Sequence, residues 1–299
     1  MKRSRVVTIL AVTLLAWGAL YGYLHVWGEP KVYFLELHKY LVFSAALFLV
    51  VLASLFIPSL EKGGEVVAAV LLGVMGYALL EPIYYRFPLL LPGSLQNHSL
   101  DIISGDLNYY FIHRSYQYVP LLLMVAVLFS GSPEEGVNFL KAGDWNVITS
   151  TINRDRPLPW KRVVIWFSMV TLGLAILALV LRCRMGILMR PMADQLVLFP
   201  ANILGAINNC FIEELLFRGI LLTVFVRILG EKHGNFLQAL LFGLVHFPSF
   251  NMYHYLAKVL VFTFVGWLFG RAVIETGGLK CNWIMHSAIV ISMYIAQTV

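Results

Sequence analysis

The chain has 299 residues, 60% of them hydrophobic and 13% charged, with a formal net charge of +6. A soluble domain carries about 25% charged and about 45–50% apolar residues, so an ordinary soluble fold is excluded. The cations sit at the ends of apolar segments and form no basic stripe, which argues against a nucleic-acid partner.

The first apolar run, Val6–Trp27, follows Lys2, Arg3 and Arg5. It is longer and more aromatic than the about 7–15-residue apolar core of a cleaved leader, and reads as an uncleaved first span with its N-terminus in the cytoplasm. Further runs follow at Leu41–Ile57, Val66–Leu80, a short one at Val119–Ser130, then Val163–Leu181, Leu196–Ile212, Phe236–His246 with its flanks, Val259–Gly270 and Trp283–Val299. A span needs about 17–25 apolar residues. The expected fold is all-α, a polytopic transmembrane bundle of about eight or nine membrane helices. It is expected as a multi-pass protein of a prokaryotic plasma membrane, with lipid as its surroundings.

Two connections are long. Residues 81–118 mix Pro, Gly and Asn with aromatics and read as an interfacial or re-entrant loop. Residues 131–162 carry Pro, Gly and mixed charge and read as an aqueous loop. The expected division is 1–160, a set of N-terminal helices of unassigned role, and 161–299, a C-terminal core. Orientation stays open: alternation puts the 131–162 loop, with its Lys and Arg residues, inside, but then Arg182, Arg184 and Arg190 fall outside. The cysteines, Cys183, Cys210 and Cys281, have no metal or disulfide spacing and read as small packing residues.

The segment NNCFIEELLFRGILL, residues 208–222, places Glu213, Glu214 and Arg218 in apolar sequence. A charge at bilayer centre costs roughly 2.5–3.5 kcal/mol on insertion scales, so such groups are paired or used. On a helix Glu214 and Arg218, four apart, share a face. Glu213 is rotated by about 100° from its neighbour and can point into a cavity. His246 ends the run LLFGLVH on the face of Phe242. His286 lies in the last run, with Asn282 one turn earlier. Each histidine alone is as readily a packed residue bonded to a carbonyl, and the Glu–Arg pair alone as readily a tie between turns. Glu213 has no base left to pair with, and all three features fall in one stretch of chain. Asn208 and Asn209, one to two turns before Glu213, can bond neighbouring helices or the site. His25, His38, His98, His113 and His254 read as edge or loop residues, and Arg271 and Lys280 as snorkelling anchors around a Gly-rich turn.

These residues together resemble the CAAX-processing and bacteriocin-processing intramembrane proteases. Glu213–Gly219 looks like the family's EExxxR motif, Phe242–His246 like its FxxxH, and His286 like its last histidine. The resemblance covers roughly residues 195–299. It implies an intramembrane endopeptidase acting near the C-terminal or membrane-proximal part of a protein substrate. Glu213 would activate a water with help from His246, Glu214 and Arg218 would orient the site, and His286 would stabilise the oxyanion. The family usually has Asn or Asp four residues after that histidine. Here the position is Val290, so Asn282 or Asn209 is the expected support.

No cofactor is expected. The alternative is zinc on Glu213, His246 and His286; the absence of HExxH and the presence of Arg218 favour metal-free chemistry. Two other functions stay open. One is a proton-coupled transporter, which would show matching half-chains with broken helices; none are seen. The other is an inactive scaffold or immunity protein, for which Val290 speaks.

Overall fold

The computed structural model describes residues 118–129, 138–151, 158–185, 192–246 and 252–297, with a few isolated positions between 14 and 71. The expected spans Val6–Trp27, Leu41–Ile57 and Val66–Leu80 and the loop 81–118 therefore lie outside the described residues, apart from those isolated positions and Tyr118. Those spans are three of the nine runs on which the count of eight or nine helices rests. Among the described residues there are helices and one isolated backbone bridge, Ile148 to Pro159, but no strand. The chain divides into two compact units: Met1–Leu91 with Tyr116–Glu135, and Pro92–Ser115 with Gly136–Val299.

Within the first unit, helix α1 (Tyr118–Phe129) has 12 residues. At 1.5 Å per residue that is about 18 Å, short of the about 30 Å of a hydrocarbon core.

The second unit contains five described helices: α2 (Trp160–Arg184), α3 (Met192–Glu214), α4 (Leu222–Val245), α5 (Met252–Thr276) and α6 (Lys280–Gln297). Between α3 and α4 the backbone widens into a π segment, Leu215–Leu221. Among the described residues two helices are long and apolar enough to cross a membrane, Trp160–Arg184 and Ala257–Thr276. Helix α2 exposes Trp166, Met169, Leu174, Leu177 and Leu181 along its length, a surface suited to lipid. Pro159 precedes its first turn, and Arg182 and Arg184 lie in its last turn, where cations oppose the negative end of the helix dipole.

Helix α4 is two helices in one. At Gly230 the backbone takes φ 77°, ψ 168°, a conformation open to glycine and costly for other residues. The chain turns back so sharply that a Cβ at Gly234 would stand 2.7 Å from the Phe225 carbonyl carbon. The returning arm lies along α5 in close contact. Asn235 donates to the Trp267 carbonyl at 3.0 Å, and Gln238 to the Gly266 carbonyl at 2.8 Å. Gly243, Gly266 and Gly270 line this crossing, where a side chain would collide with the partner helix. Small residues allow such approach between membrane helices, and the GWLFG spacing of 266–270 matches that use.

Of the expected aqueous loop 131–162, residues 138–151 and 158–159 are described, and they are bonded to the rest of this unit. Asp144 N–H donates to the Thr276 carbonyl at 2.8 Å, Leu279 N–H to the Lys141 carbonyl at 2.8 Å and Lys280 N–H to the Ala142 carbonyl at 3.0 Å. The Gly277–Gly278 turn between α5 and α6 makes this fit: Gly277 adopts φ 72°, and a Cβ on Gly278 would collide with the Gly143 nitrogen. Glu275 fastens the same segment. Its carboxylate accepts from Ser150 N–H and Oγ, Thr151 Oγ1, Trp160 Nε1 and Arg271. Trp160 is fully buried with Val164, Phe269, Ala272, Cys281 and Met285. Arg271 and Lys280 are thus more than snorkelling anchors: the first pairs with Glu275, and the second lies 4.3 Å from the Trp145 ring centre. Cys210 and Cys281 are buried and Cys183 half-buried, and none of the three is in a disulfide.

Candidate active site

Helix α3 delivers the two acids at its last turn, and the π segment begins at the next residue. A π turn bonds i to i+5 and recurs at functional sites; here Leu222 N–H reaches the Phe217 carbonyl. Within this wider turn Arg218 still meets Glu214, Nη1 to Oε1 at 2.9 Å, with neither side chain exposed. Three phenyl rings enclose the guanidinium: Phe242 at 4.1 Å, Phe269 at 5.4 Å and Phe217 at 5.9 Å from ring centre to Cζ. Aromatic faces favour a desolvated cation, so part of the cost of burying Arg218 is offset locally.

The same Glu214 oxygen lies 2.9 Å from His286 Nδ1. A carboxylate already paired with Arg218 accepts, so Nδ1 carries the hydrogen and Nε2 is turned the other way. There it stands 3.8 Å from Glu213 Oε2. His246 makes the mirror arrangement: its Nδ1 lies 2.7 Å from the Phe242 carbonyl, which can only accept, and its Nε2 is 3.8 Å from Glu213 Oε2. The ring is held flat against Phe262, 4.3 Å between centres at 13°.

Glu213 therefore faces two imidazole nitrogens with one oxygen. Its other oxygen accepts from Asn209 Nδ2 at 3.0 Å, one turn back on α3. Glu213 and His246 are partly open, at 19% and 25% side-chain exposure. Glu213 Oε2, Glu214 Oε2, Asn209 Oδ1 and Arg218 Nε and Nη2 are buried atoms without a hydrogen-bond partner in the protein. Such a concentration of unmet polar atoms marks a place built for polar guests.

Glu213, Glu214, Arg218, His246 and His286, from α3, the π segment, α4 and α6, are brought into one cluster, and Asn209 joins them. Asn282 is fully buried on α6, where its amide donates to the Phe269 carbonyl on α5, tying the two helices together, and also lies within hydrogen-bond reach of Glu214. Val290 is half-buried on α6, one turn past His286. The side chain of His254 lies outside the described residues. Sequence reasoning placed Phe242 on the face of His246 but missed Phe262 and Phe269, which complete an aromatic wall with it. Its one available signal was the spacing of Phe262 and Phe269 along α5, which equally fits core packing. The π turn left no mark in the residues at all.

The donor set contains the ligands of a zinc site, so its spacing can be tested. Ligand atoms about 2.0–2.1 Å from zinc lie about 3.3 Å apart in a tetrahedron. Glu213 Oε2 is 3.8 Å from each histidine nitrogen. Among the described residues no group of three or more His, Cys, Asp or Glu is arranged to hold a metal ion.

A helical membrane protein with an acid–base cluster inside its helices is the class these observations define. Comparison with known families then adds a match: residues 195–292, about a third of the chain, fit the model described as type II CAAX prenyl endopeptidase Rce1-like. This is the family that the EELLFRG, FGLVH and final-helix histidine resemble, and the matched segment contains every residue of the cluster. No curated protein and no solved structure matches the chain.

Proposed function

We propose that this chain is an intramembrane endopeptidase that cleaves near the C-terminal or membrane-proximal part of a protein substrate, using a water activated by Glu213. The observation that carries the reading is the position of Glu213 Oε2, 3.8 Å from both His246 Nε2 and His286 Nε2. That distance is too long for a direct hydrogen bond and suits a bridging water.

In the proposed reaction Glu213 takes a proton from the water while His246 Nε2 accepts its other hydrogen. The water oxygen bonds to the scissile carbonyl carbon, and the carbonyl π pair moves onto oxygen. His286 supplies the donor: with Nδ1–H held by Glu214, a protonated ring turns Nε2–H toward the oxyanion. That proton also balances the local charge, since two carboxylates otherwise face Arg218 alone. The C–N bond then breaks, and Glu213 returns its proton to the leaving amine. No acyl-enzyme forms. Asn209 fixes the rotation of the Glu213 carboxylate, so the base is pre-aimed. The spacing of the donor set and the Arg218 charge beside the acids support a metal-free site.

The test is Glu213→Gln in the purified full chain. The amide keeps the shape and the Asn209 bond but cannot take a proton. Cleavage of a peptide substrate should vanish while thermal unfolding and membrane insertion stay as in the parent. Unchanged cleavage would remove Glu213 as the base. A chain that never cleaves but loses ion flux with this substitution would be the transporter, and one that loses nothing would be the scaffold.

A further inference from the structure

The end of the second unit at which α2 begins and α5 finishes carries more cations than acids among the described residues. Lys141, Lys161, Arg162, Arg227 and Lys232 are exposed there. The acids at this end are Glu275, Glu231 and Asp144. Glu275 accepts from Ser150, Thr151, Trp160 and Arg271, Glu231 lies 3.7 Å from Arg271, and Asp144 accepts from Asn146. At the other end of the same helices the described cations are Arg182, Arg184 and Lys258. The Gly230 corner concentrates the asymmetry. Its reversal leaves Leu229 and Phe236 at 40% and 59% exposure beside Arg227, Lys232 and His233.

Cations beside apolar side chains at the rim of membrane-crossing helices match a phospholipid. The phosphate meets the cations, and the adjoining chain region meets Leu229 and Phe236. Free phosphate would have no use for the apolar pair. We propose that the 227–236 corner binds the headgroups of anionic phospholipids, in the leaflet that faces the basic end. The inference needs only that the helices cross a membrane and is independent of proteolysis.

The test uses the purified full chain in mixed micelles with equal phosphatidylglycerol and phosphatidylcholine, reading retained lipid by native mass spectrometry. The parent should retain phosphatidylglycerol preferentially. Each cation removed should lower that preference by about fivefold, so Arg227→Ala with Lys232→Ala should nearly abolish it. Lys258→Ala should leave it unchanged, and Arg227→Lys with Lys232→Arg should keep it. Thermal unfolding confirms that each variant is folded. No preference in the parent, full preference in the double alanine variant, or displacement of the lipid by inorganic phosphate would each overturn the proposal.

Discussion

His286 Nδ1 and Glu214 Oε1 meet at 2.9 Å across 72 residues of chain, and Arg218 shares the same oxygen. Glu214 is thereby the joint between the π segment and α6, and the orientation of the His286 ring follows from it. The second acid of the EE pair holds the geometry, and the first is left partly open beside the two histidines.

Glu214→Ala should therefore do more than weaken activity. It leaves Arg218, fully buried, without its counter-charge. Removing one partner of a buried pair typically costs about 3–5 kcal/mol. A large fall in thermal stability in detergent is expected, and Arg218→Met in the same chain should recover much of it without restoring cleavage. Equal stability of the single and double variants would contradict the pairing.

Asn209→Ala separates aiming from folding. The Asn209–Glu213 bond is partly buried and joins two residues of one helix, so stability should change little. Loss of a group that fixes a reacting side chain can cost about 10²-fold. A fall in kcat of that order, with KM near the parent value, is the expected split. A change confined to KM would place Asn209 at the substrate instead.

Cleavage should survive exhaustive chelation with EDTA and 1,10-phenanthroline. If activity is lost and returns only with zinc, the three-ligand arrangement forms after all and Glu213 is a ligand.

Gly270→Ala tests the α4–α5 crossing. The new Cβ would collide with Asn235 Oδ1 and stand 2.7 Å from Gln238 Nε2. Both amides are buried and bonded to α5 carbonyls, so they have little room to yield. Overpacking of this kind costs about 1–3 kcal/mol. Since α4 also carries His246, activity should fall along with stability, whereas Gly173→Ala on α2, where a Cβ meets nothing, should be neutral.

The residues Glu213, Glu214, Arg218, His246 and His286 are legible because charge in an apolar run is costly, and cost makes it visible. Their meeting point is not, since residues 72 apart converge only through packing. The helices α2, α3, α5 and α6 follow from apolar length alone. The Gly230 corner is harder: the expected run is Phe236–His246 with its flanks, yet helical backbone bonding runs on both sides of Gly230 and folds α4 back on itself. Residues 138–151 are irregular and largely exposed or half-buried, as an aqueous loop should be, yet they are held in place for a related reason. Their polarity says water, but Glu275, inside the run that continues α5, supplies the acceptor that ties Ser150, Thr151 and Trp160 down. Asn282, expected as a support of the site, also ties α6 to α5, a bond that helical phase does not show because it gives a face and not a partner.

Glu275 grips Thr151 on one side of the 152–157 stretch and Trp160 on the other. A polypeptide severed between those two points would keep both new ends fastened to the same carboxylate. Two separately expressed fragments that meet there have a ready-made joint, so fragment complementation is built into the way this chain is held.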